Sequence, residues 1–500
     1  MTAVAELRGI LAEVTDLTRV AELLIWDQET YMPSGGVQGR ASQAATVSRL
    51  AHERFVSDEV GRLLERAEAE TQSLDYDSDD RSLARVVRRE YDHEARLPSD
   101  LVAAMARAMS ESQPVWAEAR RGSDWSLFAP RMDVTVDLAR RVADAYGYAR
   151  EPMEALIARH EPGLSVADVE SLFEQLRAAI VPLVGEITSR DGAGESALDR
   201  RLEPSDRLLS LALDVVGRLG YDLNRGRQDL SRHPFTVTFG PGDVRITTRI
   251  EDGLTTIFSS IHEAGHAMYE QGVAPALDGT PLCAGATPGV HESQSRLWEN
   301  LVGRSRPFWR YFLPHLREAF PDALATVSAD ELYRAVNRVR PGYIRVDADE
   351  VTYNLHIMLR TELERELLSG GLRVADVPEA WNEKVRSYLG LDPPPDAQGC
   401  LQDMHWTHPL LGGFVGYTLG NVIGAQLMVT IRESLPDLDE QVAAGEFGRL
   451  FEWLRSHLYE HGRKFTPNEL LERATGRPIT AEPWIAYVRR KFGELYGVPV

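Results

Sequence analysis

Val4, Leu7, Leu11, Val14 and Leu17 fall three to four residues apart, with charged residues between them. That spacing lines up apolar side chains on one face of a helix with 3.6 residues per turn, and so predicts an amphipathic helix. The same period returns in VGRLLERAEAE from Val60, in DVESLFEQLRAAIVPLVGEI from Asp168 and in ELYRAVNRV from Glu331. A chain so dominated by one period is constrained to a mainly α fold, helix packed on helix. At 500 residues, 43% of them hydrophobic, it can bury a large core, and by size alone it makes one domain or up to about three.

Breaks in the pattern fall at MPSGG (32–36), DYDSDD (75–80), RDGAGES (190–196) and LDPPPDAQG (391–399), each rich in turn formers or like charge. None is long enough to act as an interdomain linker, and no fixed-period repeat is present. The reading is therefore one domain over 1–500, with residues 1–110 as an N-terminal helical lid region. Within that region LIWDQETYMP (24–33) is expected at a rim, with Trp26 in the core. One segment departs from the helical period. PFTVTFGPGDVRITTRI (234–250) places two β-branched runs around GPGD, which predicts a β-hairpin. A strand there offers an edge with which an extended peptide can pair.

The formal net charge is −21, and no block of Lys and Arg offsets it. A phosphate backbone would be repelled, so nucleic acid is not an expected partner. The N-terminus lacks a basic start followed by an apolar run, and no uncharged apolar stretch of about 18 residues occurs. A cytoplasmic protein with no membrane partner is expected. Cys283 and Cys400 are the only cysteines, too few for a disulfide framework or a cysteine-based zinc site. Any metal must be held by His, Asp or Glu.

IHEAGHAMYEQ (261–271) supplies a candidate. On a helix over 254–272, His262 and His266 lie one turn apart with Cβ atoms about 5–6 Å from each other, and both imidazoles can reach one Zn²⁺. Glu263, one residue round the helix, can then act as general base on a water whose pKa the metal lowers to about 7. Gly265 and Ala264 are small, as either a substrate lying close over the helix or a tight helix crossing requires. A third ligand is needed. Glu270 sits two turns along the same helix and is not expected to reach back, and Asp278 falls in a loop. GVHESQSRLWENLVGRS begins a second helix, on which His291 and Glu292 compete on spacing alone. Glu299, seven residues after Glu292 and on the same face, is a candidate to orient a ligand histidine.

Six stretches then stand in order: HPF (233–235), DVRIT (243–247), HEAGH (262–266), HESQ (291–294), IRVDAD (344–349) and GCLQDMHW (399–406). Together with WDQETYMPSGG and YTLGN they resemble the carboxypeptidase Taq family of zinc metallocarboxypeptidases over essentially the whole chain. The resemblance implies that His262, His266 and Glu292 bind the metal and that Glu263 is general base and acid. It also implies a single helical domain with a deep central groove and a homodimeric assembly, while the β-hairpin, which ends about a dozen residues before His262, is expected near the active site from its place in the sequence. The implied activity is release of single residues from peptide C-termini with broad specificity. Zn²⁺ is the expected cofactor, with Co²⁺ or Mn²⁺ as substitutes that His and carboxylate ligands also accept.

A carboxypeptidase must grip a terminal carboxylate, for which the planar fork of Arg is suited. Arg345 is the first candidate. Arg245 on the hairpin either contacts substrate or holds the hairpin through Asp243, and His233 is a third candidate. His405 and Tyr417 are expected to donate to the oxyanion, a part His233 could also take. Asp349 either fixes Arg345 or caps the following helix, and Gln402 and Asp403 are expected to organise the loop carrying His405. A groove-type metallo-oligopeptidase that cuts internally, and a zinc-holding helical protein without turnover, are the alternative functions.

Overall fold

The computed structural model describes residues 2–190, 202, 205–251 and 253–499. The break expected at 190–196 lies, from 191 onward, outside the described residues. The fold is mainly α, with 71% helix and 21 α-helices among the described residues. None of them is long and apolar enough to cross a membrane.

The periodic segments form helices with the expected faces inward. Ala3–Thr30 buries Val4, Leu7 and Leu11, Asp58–Thr71 buries Val60, Leu63 and Leu64, and Val166–Arg190 buries Leu172, Leu176, Ile180 and Leu183. Ser57 caps its helix by accepting from the Val60 amide at 3.4 Å. MPSGG becomes a short 3-10 turn at Ser34–Gly36, and the DYDSDD break ends where the helix Asp79–Arg96 begins.

By its contacts the chain sorts into two compact units. One takes the described residues of Met1–Glu94, Glu195–Val336 and Ile423–Ile479, the other those of Ala95–Gly194, Asn337–Val422 and Thr480–Val500. The stretch 1–110 changes unit after Glu94.

In the first unit Leu7, Leu11, Leu64, Leu83, Val87, Leu277 and Leu282 share one buried apolar cluster. The same unit holds the three-stranded sheet. β1 (Gln228–Leu230), β2 (Thr236–Thr238) and β3 (Val244–Thr248) lie in the order β1-β3-β2. β2 and β3 are the expected hairpin, antiparallel with Thr236 opposite Ile246. β1 adds parallel to the other side of β3, which leaves β2 at an edge. β1 was not expected, because three residues are too few to show an alternation.

Helix Thr255–Gly272 follows the sheet and is nearly all buried. It crosses the helix Pro288–Arg296 at Gly265, where an added Cβ would stand 2.7 Å from the Gln294 carbonyl oxygen and 2.7 Å from the Ser295 Cα. The glycine therefore serves the helix crossing. Beyond Arg296 the backbone continues as a π-helix over Leu297–Gly303, a local widening often found near functional groups.

Candidate metal centre and active site

The crossing at Gly265 brings two helices close enough for their side chains to share a centre. His262 and His266 rise from one helix with ring centroids 5.0 Å apart. Glu292 comes from the other, whose N-terminus is set by Pro288 and by Thr287 accepting from the Val290 amide. Glu292 Oε2 lies 3.6 Å from His262 Nε2 and 3.4 Å from His266 Nε2, and the three donor atoms all fall within 4.8 Å of one another. Ligands at about 2.0–2.2 Å in a tetrahedral shell sit about 3.4 Å apart, so this donor set fits one divalent cation. Arg296 Nε holds the other carboxylate oxygen, Oε1, at 2.8 Å, which turns Oε2 toward the imidazoles. His291, the competing candidate, points its ring elsewhere.

Charge at this centre is arranged in favour of a cation. Burial would raise the Glu292 carboxyl, but Arg296 and the two histidines outweigh it and hold the group well below the usual carboxylate range. Burial would lower His262, but the charges of Glu292 and Glu299 outweigh it and favour positive charge there. His266 is pushed down to about 4, chiefly by burial, and so is neutral at pH 7 as a ligand must be.

The imidazoles are oriented from behind. His262 Nδ1 meets Glu299 Oε2 at 2.9 Å, and Glu299 is itself held by Arg296 and Arg304. Glu292 and Glu299 therefore address opposite nitrogens of one ring. His266 Nδ1 meets His291 Nδ1 at 2.5 Å, and His291 Nε2 meets Glu270 Oε1 at 2.8 Å. Glu270, too far along the helix to join the donor set, lies four residues after His266 on the same face and reaches the histidine pair through His291. That spacing was the available signal.

Glu263 stands outside the ligand set. The residue is 7% exposed, and its carboxylate accepts from Thr236 Oγ1 on the edge strand at 2.7 Å. Burial raises its carboxyl, with His262 and the Thr236 hydroxyl partly opposing. A carboxylate outside the ligand set can take a proton and return it. Arg245, also on the hairpin, forks onto Asp243 at 2.8 and 2.7 Å and stacks over Trp26 and Phe239. His233 is exposed in the turn ahead of β2.

In the second unit the remaining candidates gather around Asp403. Arg345, 6% exposed, donates Nε and Nη2 to Asp403 Oδ1 at 3.0 and 2.8 Å and Nη1 to the Tyr353 hydroxyl. Arg360, fully buried, donates Nε to Asp403 Oδ2 at 2.6 Å. The two guanidiniums hold the Asp403 carboxyl well below its usual range against the effect of burial. His405 Nε2 meets the Tyr417 hydroxyl at 3.3 Å, and burial pushes the imidazole down to about 4. Gln402 fixes the loop by accepting from the Arg345 amide and donating to the Tyr343 and Gln398 carbonyls. Asp349 accepts from the Val351, Thr352 and Arg340 amides, so it fixes the turn ahead of the helix Tyr353–Ser369, whose own N-cap is Thr352, rather than capping that helix. Glu364 binds the Trp406 indole N–H at 3.1 Å and the Gly412 amide at 2.8 Å, joining the two ends of the loop after His405.

The family model described as carboxypeptidase Taq (M32) metallopeptidase matches residues 6–492. The chain belongs to the carboxypeptidase Taq family. It is 40% identical to thermostable carboxypeptidase 1 of Thermus thermophilus over 97% of both chains, and 35% identical to carboxypeptidase 1 of Bacillus subtilis over 98% of both. The crystal structure of the M32 carboxypeptidase from Deinococcus radiodurans R1 superposes with a TM-score of 0.95 at 42% identity, covering 99% of each chain. As a member of this family the protein is a metallocarboxypeptidase, a peptide hydrolase that works with a divalent metal.

Proposed function

We propose that this carboxypeptidase Taq member is a zinc enzyme that releases single residues of varied type from peptide C-termini, with Glu263 as its general base and acid. The observation that carries the reading is the convergence of His262, His266 and Glu292 on one point, with the buried Glu263 carboxylate beside them and outside the ligand set. His262 Nε2, His266 Nε2 and Glu292 Oε2 would hold the cation. When bound, it supplies Lewis-acid polarisation of water and of the scissile carbonyl. Glu263 takes a proton from the attacking water and hands it to the leaving amine nitrogen. Thr236 keeps the carboxylate pointed for both transfers.

The substrate's terminal carboxylate is assigned to Arg345. Two buried guanidiniums, Arg345 and Arg360, share one carboxylate at Asp403, so this cluster carries an excess positive charge suited to an anion. His233 is the second candidate for that grip, and Arg245, engaged by Asp243, is read as support for the hairpin. Neutral His405 and the Tyr417 hydroxyl it touches are assigned the donation to the oxyanion.

The deciding experiment is mass spectrometry of the products from one free-acid peptide and from its C-terminal amide, each with and without chelator. Stepwise loss of C-terminal residues from the acid alone, abolished by chelator and restored by Zn²⁺, is the expected result. Internal cleavage of both peptides would replace the exopeptidase reading with the oligopeptidase one.

A further inference from the structure

The two histidines of the metal centre are supported differently. His262 Nδ1 faces a carboxylate directly, whereas His266 Nδ1 faces another imidazole nitrogen, His291 Nδ1, at 2.5 Å. Two ring nitrogens at hydrogen-bond distance share one proton between them, and the neighbours decide which ring carries it. If His266 Nε2 presents its lone pair toward the cation, the neutral ring must carry its proton on Nδ1. His291 Nδ1 is then the acceptor, so the proton of that neutral ring lies on Nε2. There it meets Glu270 Oε1 at 2.8 Å, an oxygen that also accepts from the Gly285 amide at 2.8 Å. The opposite arrangement would place a lone pair of His291 against the Glu270 carboxylate and cap His266 Nε2 with a proton.

The ring of His291 is also held in place. It packs 5.3 Å from the Tyr269 ring, and a Cβ on Gly285 would stand 2.4 Å from its Cδ2. Only a bare α-carbon at 285 leaves room for the imidazole.

We propose that His291 and Glu270 are positioning residues, a two-step support that fixes the tautomer of His266 and sets the affinity of the centre for its cation. The proposal rests on the assignment of His262, His266 and Glu292 as ligands. It extends that assignment by giving His291 the part on the His266 arm that Glu299 has on the His262 arm.

The test uses the full-length protein, stripped with chelator and titrated with Zn²⁺ against a chromophoric competitor. His291→Ala and His291→Gln are expected to weaken zinc binding by about 10–100-fold, the usual effect of removing an outer partner of a ligand histidine. His291→Asn places an acceptor where Nδ1 stood and is expected to recover part of that loss, with Glu270→Gln falling between. In zinc-loaded wild type labelled with ¹⁵N-histidine, the proton of His266 is expected on Nδ1 and that of His291 on Nε2, a readout that needs no variant to fold. A zinc Kd for His291→Ala within about threefold of wild type, no recovery in His291→Asn, or a proton on His291 Nδ1 would each overturn the proposal. Unchanged zinc binding in His266→Ala would instead remove the ligand assignment itself.

Discussion

Thr236, on the edge strand of the small sheet, donates its hydroxyl to the Glu263 carboxylate from 2.7 Å. This bond stabilises the charged form of Glu263 and so lowers a carboxyl that burial raises. In Thr236→Val the carboxyl should rise further. The acid limb of the kcat/KM profile is expected to move to higher pH by about one unit, the worth of one hydrogen bond to a charged group. The alkaline limb should stay in place. An unmoved acid limb would show that Glu263 does not set it.

Glu299 is expected to matter to the metal without touching it. Glu299→Ala takes the carboxylate from His262 Nδ1 and from Arg296 and Arg304 at once. Zinc affinity should fall about 10–100-fold, measured by competition with a chelator. Stability should fall with it by about 3–5 kcal/mol, as when one partner of a buried ion pair is removed. Retention of wild-type zinc affinity would argue that His262 is oriented by its own packing.

Gly265→Ala is the smallest change that should disturb the whole centre. The new methyl meets backbone atoms of residues 294 and 295, which cannot rotate away as a side chain could. The two helices must separate, at a cost of about 1–3 kcal/mol, and Glu292 moves with its helix. Lower Tm and weaker zinc binding should appear together, while at an exposed helical position the same substitution would stabilise.

Glu364 gives stability a pH dependence of definite sign. Burial raises its carboxyl from an ordinary 4.5 to about 7. Between those two values the unfolded chain has lost the proton and the native state still holds it, so stability declines as pH rises through this window. The full effect is about 3 kcal/mol at 1.36 kcal/mol per unit. Buried His266 and His405, both lowered to about 4, contribute the opposite slope in both proteins, so thermal unfolding between pH 5 and 8 should show the wild type losing stability relative to Glu364→Gln as pH rises. Equal slopes in the two proteins would rule out this contribution from Glu364.

Much of this was legible in the sequence because it depends on neighbours along the chain. The helix bearing His262 and His266 follows from apolar period, and the hairpin at 236–248 from two β-branched runs about a turn. The choice between His291 and Glu292 was not legible from spacing, since adjacent residues on a helix both lie near the required face. It depended on a resemblance across six motifs, and the structure turns Glu292 Oε2 toward both imidazoles. The role of Asp403 was hidden for another reason. It joins Arg345 and Arg360, 58 and 43 residues away in the chain, and no local period records such a pairing. β1 is invisible because its three residues gain their extended form from β3.

The metal-binding candidates and the side chains described as bonded to them come from one run of the sequence, from Thr236 to Arg304. Arg345, Asp403, His405 and Tyr417 come from a later one. The assigned metal ligands and general base, and the assigned Arg345 grip with its neighbouring oxyanion donors, are thus written in separate passages of the gene. Mutation in the later passage can adjust the grip on the chain end while leaving the set of metal ligands untouched.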